Sequence, residues 1–363
     1  MSLRLTGSSL AKFQRRLLSW FAAHRRELPW RASRDPYRVW VAEIMLQQTR
    51  IAAVMPYYKR FVSRFPDVRL LAQARRDEVL KLWSGLGYYS RARNLHAAAK
   101  QIFARHGARF PGDLKAALEL PGIGPYTAAA VLSIAYDAPL AVLDGNVARV
   151  LTRLSAMRGD LRAPARWKAL SGTADRLLAR RAPGDWNQAL MELGETVCTP
   201  KSPCCHLCPV AHWCRARKLR LTAQIPAARK ERAAIHVRIA AAVLRDPRGR
   251  TLLVKDPGAH DGALFSRMWQ FPAVEVVKQP RAELARHIRV TLGVQVPALE
   301  ALPEASHGVT FRNITLLPFL ADVLRLPKRF RTRILALDTL QRVPISSATR
   351  KISAAALQAT PPG

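Results

Sequence analysis

The feature that most constrains the fold is a change of pattern in the second half of the chain. From about residue 9 to 220, apolar residues recur with helical spacing, and turn signals such as FPGD, PGIG and APGD separate the segments. After the basic stretch TAQIPAARKERAAIH, strand-like runs (HVRIAAAVL, RTLLVK, MWQFPAVEV, NITLLPFLADVL) surround the helical segment PRAELARHIRVTLG. We therefore predict an all-α domain over 1–221, a linker at 222–236 and an α+β domain over 237–363.

The charge of the chain indicates a polyanionic partner. Lys and Arg number 59 against 25 Asp and Glu, a net charge of +34, while 49% of residues are apolar, as in a folded globule. The charge is spread along the chain, which favours nucleic acid over a membrane, and no apolar run is long enough to span a bilayer. The acid-free start could be a transit peptide, but it continues as an amphipathic helix towards Trp30. We expect a cytoplasmic, DNA-associated monomer.

The stretch LPGIGPYTAAA predicts two helices joined by a tight turn. Asp113 can cap the first helix, Pro121 and Gly122 end it, Gly124 is expected to take a positive φ, and Pro125 suits the first position of the next helix. The bare N–H groups of such a turn and the positive end of the second helix dipole can hold a DNA phosphate. An ordinary helix–helix turn is the simpler alternative.

All five cysteines fall between residues 198 and 214. Four of them follow the spacing C-x6-C-x2-C-x5-C, which indicates a metal site rather than a disulfide framework. The spacing alone leaves zinc and an iron–sulfur cluster open. Cys204 interrupts the series and is interpreted as a bystander. The predicted ligands are Cys198, Cys205, Cys208 and Cys214.

Several motifs together resemble a known family. They are LPWR (28–31), DPYRVWVAEIMLQQTR (35–50), LWSGLGYYSRARNLH (82–96), LPGIGPYTAAAVLS (120–133), LDGNVARVL (143–151), NQALMELG (187–194) and the four spaced cysteines. The set is similar to the helix-hairpin-helix DNA glycosylases of the endonuclease III type, and among them to the adenine-specific MutY-type enzymes. This resemblance implies a [4Fe-4S] cluster and removal of adenine mispaired with 8-oxoguanine or guanine in duplex DNA, a step of base excision repair.

Two carboxylates stand in contrasting settings. Breaking a base–deoxyribose bond forms an oxocarbenium-like sugar and a poor leaving group, so an acid at the base and an anion near the sugar both assist. Glu43 lies in the apolar run VWVAEIML, where burial should raise its pKa and keep it protonated. Asp144 precedes the helix GNVARVLTRL, whose dipole should keep it ionised. The simpler alternatives are a solvent-facing Glu43 and a plain helix cap at Asp144.

The resemblance assigns roles to these residues. It implies that Glu43 protonates adenine and that Asp144, with Asn146 beside it, stabilises the sugar cation. Tyr126 stands where related strand-cutting enzymes carry a lysine, so the chain should remove the base and leave the strand intact. The Tyr126 phenol is expected to hydrogen-bond to Asp144 or to the departing group.

The resemblance also implies contacts with the DNA bases. Gln48 and Tyr88 match residues that wedge into the base stack, because an enzyme of this kind must extrude its target base. Without the resemblance, Tyr88 would be a packing aromatic and Gln48 part of a solvated face. The residues that match the pocket around the extruded adenine are Trp30, Arg31, Leu46 and Gln188.

For 237–363 the resemblance implies a Nudix-like fold that recognises 8-oxoguanine. The segment RHIRVTLGV (286–294) keeps the skeleton of a Nudix box, but His287, Val290 and Thr291 stand where its carboxylates would be. Hard divalent cations need those carboxylate oxygens. The domain is therefore expected to bind nucleotides without hydrolysing them.

The segment ASHGVTF (305–311) matches the loop that reads the oxidised base in this family. Ser306 and His307 are in place, whereas Ala305 stands where many relatives have phenylalanine. On its own, such a segment is an ordinary turn between strands.

Two other functions stay open at the level of the sequence. One is a mismatch-binding protein that keeps the hairpin and the cysteines but has lost catalysis. The other is a glycosylase that also cuts the strand. Retention of both Glu43 and Asp144 in matching contexts argues against the first, and Tyr126 in place of a lysine argues against the second.

Overall fold

The computed structural model of the chain describes residues 5–161, 163–227, 233–255, 268–309, 311–329 and 331–359. Residues 228–232 of the predicted linker thus lie outside the described residues. The chain forms two compact units, Met1–Gln73 with Arg93–Lys230, and Ala74–Ala92 with Glu231–Gly363.

Helices account for every regular element described between residues 5 and 227, and their starts follow the sequence closely. Proline occupies the first position of four of them, and the carboxylates of Asp35, Asp113 and Asp144 accept from backbone N–H groups two or three residues ahead, at 2.7–2.9 Å. The helices are α1 Gly7–His24, α2 Pro36–Leu46, α3 Ile51–Arg64, α4 Val68–Gln73, α5 Arg76–Trp83, α6 Ser90–Arg105, α7 Leu114–Leu118, α8 Pro125–Tyr136, α9 Gly145–Ser155, α10 Pro164–Leu177, α11 Pro183–Thr196 and α12 Arg215–Lys218, with 3-10 turns at Pro29–Arg31 and Ala211–Trp213.

Two helices at the centre of the first unit are buried on almost all sides. In α2 and α8, most residues are inaccessible to solvent, and the two helices pack against each other. The amphipathic α1 covers a neighbouring part of the core with Phe13, Leu17 and Phe21. Any polar side chain on the inner faces of α2 or α8 is therefore held in a low-dielectric setting.

The second unit is a mixed sheet with helices. Its neighbouring strands run in the order β3-β2-β1-β7-β5, while β4 pairs with β1, β6 with β7 and β8 with β2; β1 and β7 are parallel along their whole length. The elements are β1 Ile235–Arg245, β2 Arg250–Lys255, β3 Trp269–Gln270, β4 Ala273–Glu275, α13 Pro280–Leu292, β5 Glu300–Ala301, β6 Ala305–Val309, β7 Arg312–Asp322, β8 Thr332–Ala336, a 3-10 turn Leu337–Arg342 and α14 Ser347–Gln358. The run MWQFPAVEV, predicted as one strand, is split into β3 and β4 around Pro272, which has no N–H to donate.

Both faces of the sheet are covered. Along β1, Val237, Ala241 and Val243 belong to the apolar cluster under α14, and the alternating residues Ala240 and Ala242 belong to the cluster under α13. The predicted combination of an all-α domain with an α+β domain is confirmed.

Residues 74–92 fall within the predicted helical domain 1–221 but group with the second unit. Lys255 Nζ lies 2.7 Å from Asp77 Oδ1, and Arg350 Nη2 donates to the Ser84 carbonyl at 2.9 Å. Such long-range polar contacts leave no trace in local periodicity. No helix along the described residues has both the length and the apolar character needed to cross a bilayer.

Candidate active site

A cavity of about 690 Å³ lies in the first unit, a volume within the range of small-molecule sites. Its walls come from α2, α8, the start of α9, α11 and the 3-10 turn before α2. The cavity brings together nine residues predicted from the sequence: Glu43, Tyr126, Asp144, Asn146, Trp30, Arg31, Leu46, Gln188 and Gln48.

Glu43 lies on α2 and is only 6% exposed. Burial raises the pKa of its carboxyl to about 7, and the charge of Asp144 acts in the same direction, while a hydrogen bond from Tyr126 and the charge of Arg31 oppose it. The direction agrees with the prediction from VWVAEIML. Near neutral pH, Glu43 is therefore divided between a proton donor and an anion.

Tyr126, at the second position of α8, donates from Oη to Glu43 Oε2 at 2.8 Å and contacts Met191 Sδ at 3.3 Å. The expected bond from Tyr126 to Asp144 is wrong, because the packing of α2 against α8 sets the phenol on Glu43. Burial and the nearby carboxylates raise the pKa of the phenol well above its usual value. Tyr126 is thus a fixed hydrogen-bond donor rather than a nucleophile.

Asp144 caps α9, accepting from the Val147 N–H at 2.7 Å. Burial raises the pKa of Asp144, although hydrogen bonds from Val147 and Asn146 lower it. Desolvation is the largest effect on the pKa of Asp144 and the hydrogen bonds oppose it, so the predicted ionised state of Asp144 stays a prediction. Its anionic form depends on the donors at the start of α9.

The position of the Asn146 side chain is fixed by a hydrogen bond from Arg149. Arg149 Nη2 donates to Asn146 Oδ1 and to the Gly194 carbonyl, both at 2.7 Å, and Arg149 Nε donates to the Cys198 carbonyl at 2.8 Å. A Cβ at Gly194 would lie 2.7 Å from Asn146 Cβ, so glycine allows α11 to approach α9 this closely.

A third carboxylate in the cavity, which the sequence analysis did not single out, is Glu192. The Glu192 carboxylate forms ion pairs with Arg26 Nε at 2.6 Å and with Arg31 Nη2 at 2.8 Å, and its side chain is 1% exposed. Burial tends to raise the pKa of Glu192, but the two guanidinium groups outweigh it and lower the pKa. The only sequence signal was a glutamate in the mainly apolar segment NQALMELG.

The hairpin between α7 and α8 differs in one detail from the prediction. Gly122 has a φ of +77°, and a Cβ there would lie 2.6 Å from Asn94 Cβ. Gly124 has a φ of −99° and open space around it, so the positive φ predicted at Gly124 is wrong and belongs to Gly122. Both glycines are exposed, and Gly124, the N-cap residue of α8, has no side chain that could accept from the first N–H groups of the helix. The turn thus offers bare donors to an anion.

The comparisons with known proteins agree with this geometry. Residues 41–171 match the family described as HhH-GPD superfamily base excision DNA repair protein. The matched segment spans 131 of the 363 residues, all of them in the helical part of the chain. The chain is 38% identical over 315 residues to the adenine DNA glycosylase of Rattus norvegicus, covering 74% of this chain and 61% of the relative. It is 44% identical over 220 residues to the adenine DNA glycosylase of Homo sapiens, covering 58% of this chain and 40% of the relative.

Solved structures support the HhH-GPD fold. A thermostable thymine-DNA glycosylase superposes with a TM-score of 0.53 at 29% identity, covering 58% of this chain and 97% of that one. The chain spans less than two thirds of the length of the curated relatives above, at 61% and 40%.

Two residues predicted to wedge into DNA have unusual backbone conformations. Gln48, two residues after the end of α2 in the first unit, has a φ of +57°, and Tyr88, in the second unit, has a φ of +48°. Both are exposed. Left-handed conformations in residues other than glycine are uncommon and occur preferentially at functional sites.

The cysteine-rich loop packs against the helical core after α11. Burial, together with the charges of Cys198, Cys214 and Cys205, raises the pKa of the Cys208 thiol to about 12, so the four thiols lie near one another. Among the described residues, no group of three or more His, Cys, Asp or Glu side chains is arranged to hold a metal ion.

Ser306 and His307 lie on β6 in the second unit. Their backbones pair with Thr315 and Ile314 of β7, so the loop predicted for this segment is wrong over 305–309. Ser306 is exposed, and burial lowers the pKa of His307, with the charge of Lys351 adding to the effect.

Proposed function

We propose that this protein is an adenine DNA glycosylase, which hydrolyses the bond between adenine and deoxyribose in duplex DNA during base excision repair. The observation that carries the proposal is the buried Glu43–Tyr126 pair, facing the same cavity as Asp144. The adenine DNA glycosylases to which the chain is similar, and the HhH-GPD match, support the reaction class.

In the proposed mechanism, protonated Glu43 donates its proton to a nitrogen of the extruded adenine. The C1′–N9 bond then breaks with its electron pair moving to the base, and positive charge develops on the sugar. Asp144 stabilises that charge, and water adds to C1′ and gives its proton to the Glu43 carboxylate, which restores the acid. Tyr126 orients Glu43 through its hydrogen bond, and two carboxyls with unequal settings divide the acid and anion roles.

The strand itself stays intact in this proposal. A lyase needs an amine that attacks C1′, and the described residues lining the cavity include arginines but no lysine. Tyr126, which stands where related lyases have lysine, carries a phenol that stays protonated.

The cavity walls and the hairpin supply the proposed contacts with DNA. Trp30, Arg31, Leu46 and Gln188 surround the extruded adenine, while Gln48 and Tyr88 fill the gap in the base stack. The exposed turn at Gly122 and Gly124 grips a backbone phosphate, supported by the net charge of +34.

The base opposite adenine is proposed to be 8-oxoguanine or guanine, read by the Nudix-like domain. Ser306 is exposed on β6 and available to a DNA base, and His307 is kept neutral by a lowered pKa. A neutral imidazole offers one donor and one acceptor to a base edge.

The four spaced cysteines are proposed to hold a [4Fe-4S] cluster. In such a cluster each of the four thiolates binds a different iron, and thiolates are the ligands that iron–sulfur clusters take in proteins. The cluster would tie the loop together by iron–sulfur bonds, since glycosidic hydrolysis transfers no electrons. The purified protein should be brown, with absorbance at about 400 nm. Cys208→Ser should lose this absorbance and Cys204→Ser should keep it; the reverse pattern would reassign the ligands.

The activity is tested with duplexes that carry adenine opposite 8-oxoguanine, guanine or thymine, analysed with and without hot alkali. We expect alkali-dependent strand breaks at adenine opposite 8-oxoguanine and guanine only. Breaks without alkali would indicate a lyase. Tight binding of the mispaired duplexes without any product would indicate a mismatch-binding protein.

A further inference from the structure

Two segments with proposed DNA contacts belong to the second unit. We call residues 84–89, which carry Tyr88, the wedge loop, and β6, which carries Ser306 and His307, the reading strand. They are more than 200 residues apart in sequence, yet both are bonded to α14.

The conformation of the wedge loop is fixed by its glycines and by contacts with the residues on either side of it. Gly85 and Gly87 have φ values of +104° and +77°, next to the left-handed Tyr88. The Gly87 carbonyl accepts from Trp83 Nε1 at 3.1 Å and from Arg91 Nη2 at 3.3 Å, and the Arg91 guanidinium lies 5.3 Å from the centre of the Tyr88 ring. These contacts connect the middle of the loop to the residues on either side of it, so a shift at its first residue is expected to move Tyr88.

That first residue, Ser84, is buried and bonded on two sides. Arg350 Nη2 of α14 donates to the Ser84 carbonyl and Oγ, both at 2.9 Å, while Ser84 Oγ donates to the Ile345 carbonyl. Ile345 forms a bridge with Trp269, and the neighbouring Pro344 carbonyl accepts from the Trp269 N–H at 2.9 Å. The root of the wedge loop is thereby fixed to the edge of the sheet and to α14.

The next residue of α14 holds the reading strand. Lys351 Nζ donates to the Ser306 carbonyl at 2.5 Å, and its charge contributes to the lowered pKa of His307. The side chains of successive helix residues point about 100° apart, so Arg350 and Lys351 can bond to two different segments from one turn of α14.

We propose that Arg350 and Lys351 are positioning residues that hold the wedge loop and the reading strand to one helix, so that engagement of the base opposite adenine stabilises the inserted position of Tyr88. The proposal rests on the proposed glycosylase function. Neither side chain need touch the reacting atoms; each acts through the segment that it holds.

The test is the ratio of single-turnover excision rates for adenine opposite 8-oxoguanine and opposite guanine. Arg350→Ala should lower this ratio by about tenfold, equivalent to about 1.4 kcal/mol, because the wedge no longer responds to the base that is read. Lys351→Ala should lower it by less, and Lys351→Arg should restore it. Arg325→Ala removes the same charge from an exposed site in the second unit and should leave the ratio unchanged.

A double-mutant cycle separates positioning from general destabilisation. Tyr88→Ala should cost less in the Arg350→Ala background than in the wild type, since the wedge is already displaced. If Arg350→Ala unfolds the protein, Ser84→Ala removes only a hydroxyl and should lower the ratio in the same direction. Equal losses on both duplexes, or effects of Tyr88 and Arg350 that simply multiply, would overturn the proposal.

The two proposals fail in different ways. A wild type that releases no adenine contradicts the glycosylase function, and the ratio of dissociation constants for the two duplexes, measured with the same variants, then tests the coupling alone. A wild type with normal excision and an Arg350→Ala ratio equal to it contradicts only the coupling.

Discussion

Glu43 and Asp144 line the same cavity but are placed there by different kinds of structure. Glu43 projects from the middle of a buried helix and is bonded to a phenol across the α2–α8 interface. Asp144 stands at the free end of α9, where backbone N–H groups face it. Burial raises both pKa values, yet only Asp144 has backbone donors that favour its anion. The comparison teaches that donors, not burial alone, decide which carboxyl carries the proton.

The largest difference between the two carboxyls should be seen when the proposed acid, Glu43, is replaced. Glu43→Gln keeps the size of the side chain and loses the proton, so base release should fall by roughly 10²–10⁴-fold while duplex binding persists. Single-turnover excision and a binding titration measure the two quantities. Glu119→Gln, at an exposed position, is the matched control and should behave as the wild type. Normal turnover by Glu43→Gln would remove the acid from the mechanism.

The role of Asp144 at the start of α9 is tested by two substitutions of this residue. Asp144→Asn keeps an acceptor for the Val147 N–H but removes the charge, so excision should fall by about 10²-fold or more with little change in stability. Asp144→Ala should lose excision and also about 1 kcal/mol of unfolding free energy, because the helix cap is gone. Urea unfolding of both variants measures the difference. Retained excision by Asp144→Asn would show that the anion is not needed.

The hydrogen bond from Tyr126 on α8 to Glu43 on α2 is tested by Tyr126→Phe. The Tyr126 hydrogen bond lowers the pKa of Glu43, so its loss should raise that pKa. Excision requires protonated Glu43 and is lost as pH rises through its pKa; the alkaline limb of the pH–rate profile should therefore move to higher pH in Tyr126→Phe. A limb that stays in place, or moves to lower pH, would contradict the assigned bond.

The hairpin offers a second pair of similar residues in unequal settings, with the smallest expected effect. Gly122→Ala should cost about 1–3 kcal/mol of stability, because Gly122 has a positive φ and its Cβ would meet Asn94. Gly124→Ala has open space and an ordinary φ, so stability should stay within about 0.5 kcal/mol of the wild type. Thermal unfolding compares the two variants. Equal losses would mean that the turn is not the one described.

Local signals predicted much of the fold and the cavity. Proline and aspartate predicted the starts of α8 and α9, and the run VWVAEIML predicted the burial of Glu43. These features depend on neighbours within a few residues, which the sequence displays directly.

Several features that the sequence did not predict depend on contacts between residues far apart in the chain. Tyr126 reaches Glu43 across 83 positions, and Glu192 pairs with Arg31 across 161, so both partners depend on helix packing. The backbone at Gly124 was mispredicted because two glycines in one turn permit several assignments of the positive φ. The pairing of β6 with β7 likewise replaced a predicted loop by a strand.

The central claim is that burial between α2 and α8 raises the pKa of Glu43 to about 7, so that a large fraction of the carboxyl carries a proton near neutral pH. Carbon-13 NMR of glutamate-labelled protein follows the carboxyl titration of Glu43 directly, with Glu43→Gln to assign its signal. We predict a midpoint at about 7, well above the usual 4.5. A Glu43 signal that titrates near 4.5 would contradict the account, because Glu43 and Asp144 would then both be anions and neither could donate a proton.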